Sequence, residues 1–352
     1  MNKLSIGSVL LMALAFFSCE TDIDINAEPT DITVVYGLIN PTDSIHYIKI
    51  NKAFLGDGNA LDFAADADNY NYAENELTAV VSGNGKSYPL TRVTNEIPKD
   101  EGVFDNNTNV LYKFIEPNIN RNSTYSIEID NVKLNKKISS ETKIVGISTV
   151  DDPLKGNTLH FYKGSGSNGD FTQENLSISA GDNVGRVQAY FVFNYIEHYT
   201  DPNIPSVPKK VLINLGEKKI SNPSNNQVTY LLKGSTFFDE IKAKVSDPSN
   251  IPNFSHRELD NISIEYSVAE NELNTYMEAS APSTTVNQDK PKYSNITNGV
   301  GIFSSRHYDA TWKSNKDAAS NLNIGDNTKS YLFTLGLGFC FGSGSTATNP
   351  CN

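Results

Sequence analysis

Val187-Gln-Ala-Tyr-Phe-Val-Phe-Asn-Tyr195 is the strongest strand signal in the chain, and it decides the fold class. β-Branched and aromatic residues dominate this stretch, and such residues fit a pleated, half-buried surface. Short runs of similar character recur on both sides with turn residues between them, whereas no sustained amphipathic helix and no internal repeat is found. The sequence therefore predicts an all-β protein.

Upstream of this stretch, short strand-like runs predict a first domain over residues 31–142. Ser82-Gly83-Asn84-Gly85-Lys86 is typical of a hairpin turn. Residues 56–75 are acidic and without a clear period, which predicts a long loop or insertion. Strands at this spacing favour an immunoglobulin-like or transthyretin-like sandwich. The predicted strands are Ile32–Ile39, Ser44–Phe54, Glu76–Val81, Ser87–Val93, Val110–Ile115, Thr124–Ile129 and Val132–Ile138.

Downstream, residues 143–341 predict a second β-rich domain, again sandwich-like, with one or two short helices. Ser235 and Thr236 are candidate caps of the first helix, and residues 269–279 predict the second. Tyr331–Phe341 is predicted as the closing strand, and residues 342–352 form a predicted flexible tail. Two domains are expected because the chain is longer than one hydrophobic core usually organises.

The N-terminus has the layout of an export signal, with Lys3 followed by a mainly apolar run from Leu4 to Phe17. The small Ser18 precedes Cys19, and the pattern resembles a bacterial lipoprotein signal. We expect residues 1–18 to be a signal peptide, Cys19 to be lipidated, and residues 19–30 to be an acidic tether. The alternatives are a plain secretory signal with a chance cysteine and an uncleaved anchor.

The charge balance excludes some partners. The net charge is −12 and the pI about 4.9, whereas binding to nucleic acid or to anionic lipid needs clustered lysine and arginine. The basic pairs are short. We expect the bilayer to be contacted through the Cys19 lipid, and we expect no nucleic-acid partner.

Besides Cys19, the chain has two cysteines, Cys340 and Cys351. In an oxidising compartment they are candidates for a disulfide that closes a short loop. The alternative is two free thiols in the Gly/Ser/Thr-rich tail.

Motifs with the spacing that catalysis or metal binding requires are not found. The five histidines form no His-Glu-x-x-His pair, and Asp66-Ala-Asp68 begins like a calcium loop but lacks its glycine and closing glutamate. Gly85-Lys86-Ser87 resembles the end of a phosphate loop but fits the hairpin better. We therefore assign no catalytic, cofactor-binding or metal-binding residue and expect no cofactor. Asp43-Ser44-Ile45 resembles the O-glycosylation acceptor of the Bacteroides–Flavobacterium group, which makes Ser44 a candidate acceptor.

Asn295-Ile-Thr-Asn-Gly-Val-Gly-Ile-Phe303 is the most distinctive segment. Together with the preceding strand and tyrosine-ended helix over 262–276, it resembles the C-terminal signature of an uncharacterised envelope lipoprotein family of the Bacteroides–Flavobacterium group, with its Asn-Ile-x-x-Gly-x-Gly-x-Phe segment. The resemblance implies an envelope lipoprotein often encoded near TonB-dependent outer-membrane transporters. It implies no reaction. We expect the glycines to allow a positive-φ turn or a close backbone approach before Ile302 and Phe303 enter the core.

These observations predict a protein that is lipid-anchored in the outer membrane and acts as a non-catalytic binding or accessory module. Its facing, toward the periplasm or toward the cell surface, is left open by the sequence. A β-barrel transporter of the TonB-dependent kind is the expected partner. The alternative is a structural or adhesive envelope protein. A glycan or peptide hydrolase with carboxylates assembled from distant loops is a third reading.

Overall fold

The computed structural model describes residues 31–53, 60–100, 102, 107–154, 156–165, 167–221, 226–281, 292–311, 322–341 and 351. The predicted signal peptide, Cys19 and the tether at 19–30 lie outside the described residues, as does the predicted tail apart from Cys351. Among the described residues, no helix is long and apolar enough to cross a membrane.

Strands make up most of the described chain. In its first part they are β1 (Ile32–Ile39), β2 (Ile45–Ala53), β3 (Leu77–Gly83), β4 (Lys86–Pro89), β5 (Thr91–Thr94), β6 (Val110–Ile115), β7 (Thr124–Asn131) and β8 (Lys136–Lys143). They continue as β9 (Thr149–Asp152), β10 (Thr158–Leu159), β11 (Tyr162–Ser165), β12 (Asn168–Phe171), β13 (Gln173–Ser179), β14 (Val184–Tyr199), β15 (Val207–Lys219), β16 (Gln227–Lys233), β17 (Phe254–Glu270), β18 (Val300–Thr311), β19 (Asn323–Ile324) and β20 (Phe339–Cys340).

Five short α-helices are described between these strands. They are α1 (Ala60–Ala64), α2 (Ala67–Tyr70), α3 (Gly234–Lys244), α4 (Asn271–Ser280) and α5 (Asp326–Thr334), and a 3₁₀ turn spans Pro248–Asn250.

The largest sheet runs through both halves of the chain. Its strand order is β15-β14-β17-β18-β1-β2-β6-β5, and β20 pairs with β17. We call it the shared sheet. A four-stranded sheet has the order β4-β3-β7-β8, a three-stranded sheet has the order β16-β13-β9, and β10-β19 and β11-β12 form small pairs.

The first hydrophobic core lies between the shared sheet and the four-stranded sheet. Alternation along each strand sends every second side chain inward, for example Val35 on β1, Ile48 on β2 and Ile127 on β7. Ile296 and Phe303, from far along the chain, complete this core. The first core is therefore built from both halves of the sequence.

The second core lies between the other end of the shared sheet and the three-stranded sheet with its helices. The strand signal at 187–195 lies within β14, and Phe191 and Phe193 point into this core. Phe237 from α3 lies 5.8 Å and 5.9 Å from these two rings, measured between centroids. The aromatic cluster thus attaches α3 to the sheet, which explains why a helix of eleven residues is stable here.

Strand β18 lies at the centre of the shared sheet and connects the part in the first sandwich with the part in the second. Its first half pairs in parallel with β1, from Val300 opposite Val34 to Ser305 opposite Ile39. Its second half pairs antiparallel with β17, with His307 opposite Val268. The all-β, sandwich-like prediction is confirmed, whereas the domain boundary at residue 142 stays a prediction.

The predicted closing strand Tyr331–Phe341 is wrong in its first part. Residues 326–334 form α5, and strand structure is limited to Phe339–Cys340. Helical spacing places Leu332 in the core and stacks Tyr331 on Tyr162 at 4.4 Å between ring centroids. Gly336 and Gly338 then adopt positive φ angles of 71° and 73°, which a continuous strand does not allow. The described residues of the second half of the chain therefore include three helices, rather than the one or two predicted.

The candidate helix caps are wrong. Ser235 and Thr236 lie within α3, whose N-cap position is Lys233, with no side-chain cap hydrogen bond.

Two predictions in the first part of the chain also need correction in detail. The first four residues of the predicted strand Val132–Ile138 form a turn, with Asn135 at a φ of 49°, and its last three begin β8. The predicted loop at 56–75 contains α1 and α2, and the Asp66 side chain caps α2 by accepting a hydrogen bond from Asp68 N at 3.0 Å. The Asp-Ala-Asp pattern that resembled a calcium loop thus has a helix-capping role.

Candidate binding groove

The signature segment covers the outer edge of β8. Thr297 N donates to Ser139 O at 2.8 Å, and Ser140 Oγ donates to Asn295 O at 2.8 Å. Asn298 Nδ2 donates to Lys137 O at 2.9 Å. An edge strand presents unpaired backbone groups, and these contacts satisfy several of them. Residues 295–298 therefore fasten the four-stranded sheet to the start of β18.

The glycines of the signature allow the close approach expected from the sequence. Gly301 has a φ of 116°, and a Cβ added there would lie 2.0 Å from Val35 O on β1. A Cβ on Gly299 would lie 2.7 Å from Thr33 O. Ile302 and Phe303 then enter the interior with 3% and 0% exposure. The expected close backbone approach is confirmed, and the positive-φ turn is present at Asn298 with a φ of 59°.

Three adjoining depressions follow β8 on either side of this cover, and we call them together the β8 groove. The first has a volume of about 500 Å³ and lies where β7 and β8 meet the start of α4. Its lining includes Ser126, Glu128, Ser139, Ser140, Glu141, Glu272, Asn295 and Thr297.

The other two depressions extend the groove along the strand. One, of about 380 Å³, lies over the solvent face of the four-stranded sheet around Val80 and Lys137. The other, of about 550 Å³, is lined by residues 31–33, 134–137 and 298–300. The groove therefore passes beside the glycine-containing backbone of the signature.

The groove is most polar at its α4 end, where it carries more negative than positive charge. Glu128, Glu141 and Glu272 line the first depression, and its described lining contains no lysine or arginine. Lys137 enters the lining of the second and third depressions. Hydroxyl, amide and carboxylate groups at these positions are suited to hydrogen-bond a polar ligand.

Glu270 holds the start of α4 in place at the end of the groove. Its carboxylate accepts hydrogen bonds from Glu272 N at 2.7 Å and from Ser304 Oγ at 3.0 Å. Burial raises the pKa of Glu270, and these hydrogen bonds partly oppose that shift. Because both contacts fasten the helix to β18, we assign Glu270 a positioning role.

The ionisable side chains that line the groove are carboxylates and lysines. The described lining contains no histidine or cysteine, and its serines lie beside carboxylates, as Ser139 and Ser140 do beside Glu128 and Glu141. These hydroxyl and carboxylate groups can bind a polar ligand through hydrogen bonds.

The solvent face of the shared sheet is a second surface of interest. Tyr36 is 46% exposed there, and Tyr276 from α4 packs edge-on against its ring at 6.4 Å between centroids. The hydrogen bond to Tyr276 raises the pKa of Tyr36 to about 12. Ile45, Ile115 and Val300 are large apolar side chains on the same face. Ile45 pairs with Ile115, which is 63% exposed. We call these residues the tyrosine face.

The structure places three of the candidate residues from the sequence. Ser44 is exposed beside a turn in which Asn40 Nδ2 donates to Asp43 Oδ1 at 2.8 Å, as an acceptor site for glycosylation requires. Cys340 and Cys351 form a disulfide with a Cα–Cα distance of 5.0 Å. Cys19 lies outside the described residues.

The structure also brings together groups that the sequence separates. His198 on β14 lies opposite His256 on β17, and their rings stack at 4.5 Å between centroids. The donor atoms of His256 and of both disulfide cysteines lie within 4.8 Å of one another. Sequence reasoning treated the histidines as scattered, because cross-strand pairing is not visible in their spacing.

Comparisons with known proteins add little. No protein-family model matches this chain, and no curated protein matches it. Among solved structures, the chain is similar to one described as "Biofilm associated protein - BSP domain", at 9% identity and a TM-score of 0.14, over 80% of this chain. This chain spans 58% of the length of that structure. A TM-score this low supports no argument about fold or function.

Proposed function

We propose that this protein is a lipoprotein, cleaved before Cys19 and anchored in the outer membrane, that acts as a non-catalytic binding or accessory module. We further propose an outer-membrane β-barrel transporter of the TonB-dependent kind as its partner. The observation that carries the proposal is the β8 groove. It is built on β7, β8 and the signature segment, and its lining offers hydroxyl, amide and carboxylate groups that can hydrogen-bond a polar ligand.

The lipid anchor is tested at the mature N-terminus. We expect mass spectrometry of the protein isolated from its native membrane to find Cys19 as the first residue, carrying acyl chains. Two or three chains hold a protein on a membrane effectively permanently, because each buried CH₂ contributes about 0.8 kcal/mol. An unmodified residue downstream of Cys19 would contradict the anchor.

The binding role is tested by isolating the tagged full chain from its native outer membrane in a mild detergent. We expect a β-barrel protein to be recovered in stoichiometric amount, and we expect Cys19→Ser to abolish its recovery. The groove is tested with Glu128→Lys/Glu141→Lys, which reverses two charges in its lining.

The control is Asp170→Lys/Asp239→Lys, which makes the same change at exposed positions on β12 and α3. Reduced recovery with the groove variant and normal recovery with the control would support the groove as the binding site. Absence of any partner, under conditions that preserve other lipoprotein–barrel complexes, would contradict the accessory role.

A structural or adhesive role is the second candidate, and the tyrosine face is the observation that favours it. Exposed aromatic and aliphatic side chains on one sheet face are typical of contact surfaces. We expect Tyr36→Ser/Ile115→Ser to reduce adhesion between expressing cells under this reading. Cells that lack the protein give the background level of adhesion. If the variant and the wild type raise adhesion above this background equally, the candidate is removed.

A further inference from the structure

Strand pairing places His256 beside the disulfide. β20 pairs in parallel with β17, and Arg257 lies opposite Phe339 while Glu258 lies opposite Cys340. Cys351 is held next to them by a backbone hydrogen bond from its N–H to Phe341 O at 3.3 Å. The disulfide therefore lies against the start of β17, where His256 is located.

The three donor atoms of this cluster are close enough to share one ion. The His256 nitrogen and the two sulfur atoms lie within 4.8 Å of one another. In a tetrahedral zinc site, with bonds of about 2.0 to 2.3 Å, neighbouring ligand atoms lie about 3.3 to 3.8 Å apart. Once the S–S bond is broken, the two sulfur atoms are free to rotate apart toward these separations.

The surroundings of His256 are those of a metal-binding histidine. Its Nδ1 lies 2.9 Å from Ser255 Oγ, a hydrogen bond that fixes the ring and leaves the other nitrogen for a ligand. The ring of His198 stacks on the ring of His256 at 4.5 Å between centroids, a second contact that holds the orientation of His256. Cys340 is 8% exposed, so the site is partly shielded from water.

We propose that Cys340, Cys351 and His256 form a thiol-gated metal site that binds one Zn²⁺ ion when the disulfide is reduced. Thiolate and imidazole ligands suit zinc, and three protein ligands leave a fourth position for water or a further donor. The proposal does not depend on the function proposed above.

The site opens when the Cys340–Cys351 disulfide is reduced by thiol–disulfide exchange, a reaction in which electrons and protons balance. A dithiol gives two electrons and two protons to the S–S bond and becomes a disulfide itself, while Cys340 and Cys351 become thiols. Zinc binding then removes the proton from each thiol, so two protons are released for each ion bound.

The test uses the full chain in detergent, oxidised or reduced with a dithiol that is then removed by gel filtration without oxygen. Zinc is titrated against a chromophoric chelator, and Co²⁺ is used as a spectroscopic substitute. We expect the reduced protein to bind one Zn²⁺, with sulfur-to-cobalt charge-transfer bands in the Co²⁺ form, and the oxidised protein to bind none.

Three variants make the test specific to these residues. We expect His256→Asn to weaken zinc binding at least about tenfold, because the loss of even an outer hydrogen-bond partner of a ligand costs that much. His160→Asn, at an exposed histidine, should leave it unchanged. Cys340→Ser/Cys351→Ser should bind no zinc under reducing conditions.

Three outcomes would overturn the proposal. One is equal zinc binding by the reduced protein and the double serine variant, and another is equal binding by the His256 and His160 variants. The third is loss of the β-sheet circular dichroism spectrum on reduction, because the site requires folded β17 and β20.

Discussion

The side-chain amide of Asn295 forms hydrogen bonds with both the backbone N–H and the backbone C=O of Phe303. Asn295 Oδ1 accepts a hydrogen bond from Phe303 N at 3.0 Å, and Asn295 Nδ2 donates to Phe303 O at 2.7 Å. Phe303 is fully buried in the first core. The first and last residues of the signature therefore fix each other, and the segment between them forms the cover of β8.

Replacing Asn295 with alanine is expected to destabilise the protein by about 1 to 3 kcal/mol, because a buried backbone donor and acceptor lose their partners. Urea denaturation followed by β-sheet circular dichroism measures this change. The exposed Asn203, substituted in the same way, serves as the control. Equal losses for the two variants would show that the Asn295–Phe303 contact is not important for stability.

Replacing Gly301 with alanine is expected to be far more harmful than the same change at Gly216. Both residues have positive φ angles, of 116° and 91°. A Cβ on Gly301 would lie 2.0 Å from Val35 O, whereas one on Gly216 would meet nothing within 4 Å. The backbone strain alone costs about 1 to 2 kcal/mol.

We therefore expect Gly216→Ala to fold with a loss of that size and Gly301→Ala to lose about 4 kcal/mol or more, or to remain unfolded. Soluble yield and urea midpoints compare the two variants. Similar stability of both would contradict the close packing of β18 on β1.

The buried ion pair of Arg257 and Glu197 gives a third prediction. Arg257 Nε and Nη2 each lie 3.0 Å from Glu197 Oε2, and Lys209 Nζ lies 2.9 Å from the other carboxylate oxygen. Arg257→Met leaves a buried carboxylate that is only partly compensated by Lys209. We expect a loss of about 3 kcal/mol in the free energy of unfolding.

The matched variants are Glu197→Leu and the double substitution. We expect the double variant to lose less than the sum of the two single losses, with a coupling of about 1 to 3 kcal/mol from the double-mutant cycle. Additive losses would mean that the two charges do not stabilise each other.

The lowered pKa of Glu116 predicts how the free energy of unfolding depends on pH in the acid range. Hydrogen bonds from Lys86 at 2.8 Å, from Tyr88 Oη at 2.6 Å and from Asn118 N at 3.0 Å lower the pKa of Glu116 to about 2, against an ordinary value of 4.5. A carboxyl with a lowered pKa contributes stability above its unfolded pKa, and that contribution is lost as the pH falls through the folded value. The contribution of Glu116 is therefore lost between about pH 4.5 and pH 2.

We expect the difference in unfolding free energy between the wild type and Glu116→Gln to shrink as the pH falls through this window. Lys86→Met removes the first of the three donors to Glu116. We expect the unfolding free energy of this variant to depend less on pH than that of the wild type. Urea denaturation at stepwise pH measures both variants. A difference that stays constant from pH 5 to pH 2 would contradict the role of the ionised carboxylate.

Several features of the fold could be predicted because they depend on neighbours in the sequence. Asn84 and Gly85 adopt φ angles of 53° and 72° in the β3–β4 hairpin, as an Asn-Gly turn requires. The strand signal at 187–195 became the centre of β14. The glycines of the signature also behave as expected, because positive φ and close approach are local properties of a residue without a Cβ.

The helix α5 shows where local reasoning fails. Residues 331–341 are apolar enough for a strand, and short apolar runs do not distinguish a strand from a buried helix. The decision is made by distant contacts. Phe161 N donates to the buried Thr328 Oγ1 at 2.9 Å, and Tyr331 stacks on Tyr162.

The sequence by itself determined the all-β class, the turns and the glycine positions, because alternation and φ preferences act within a few residues. Only the tertiary structure decided that β18 pairs with β1, that residues 295–298 cover β8 to form the groove, and that His256 meets Cys340 and Cys351. These contacts join strands that are distant in sequence. Their choice depends on which apolar faces bury each other, and no local spacing records that choice.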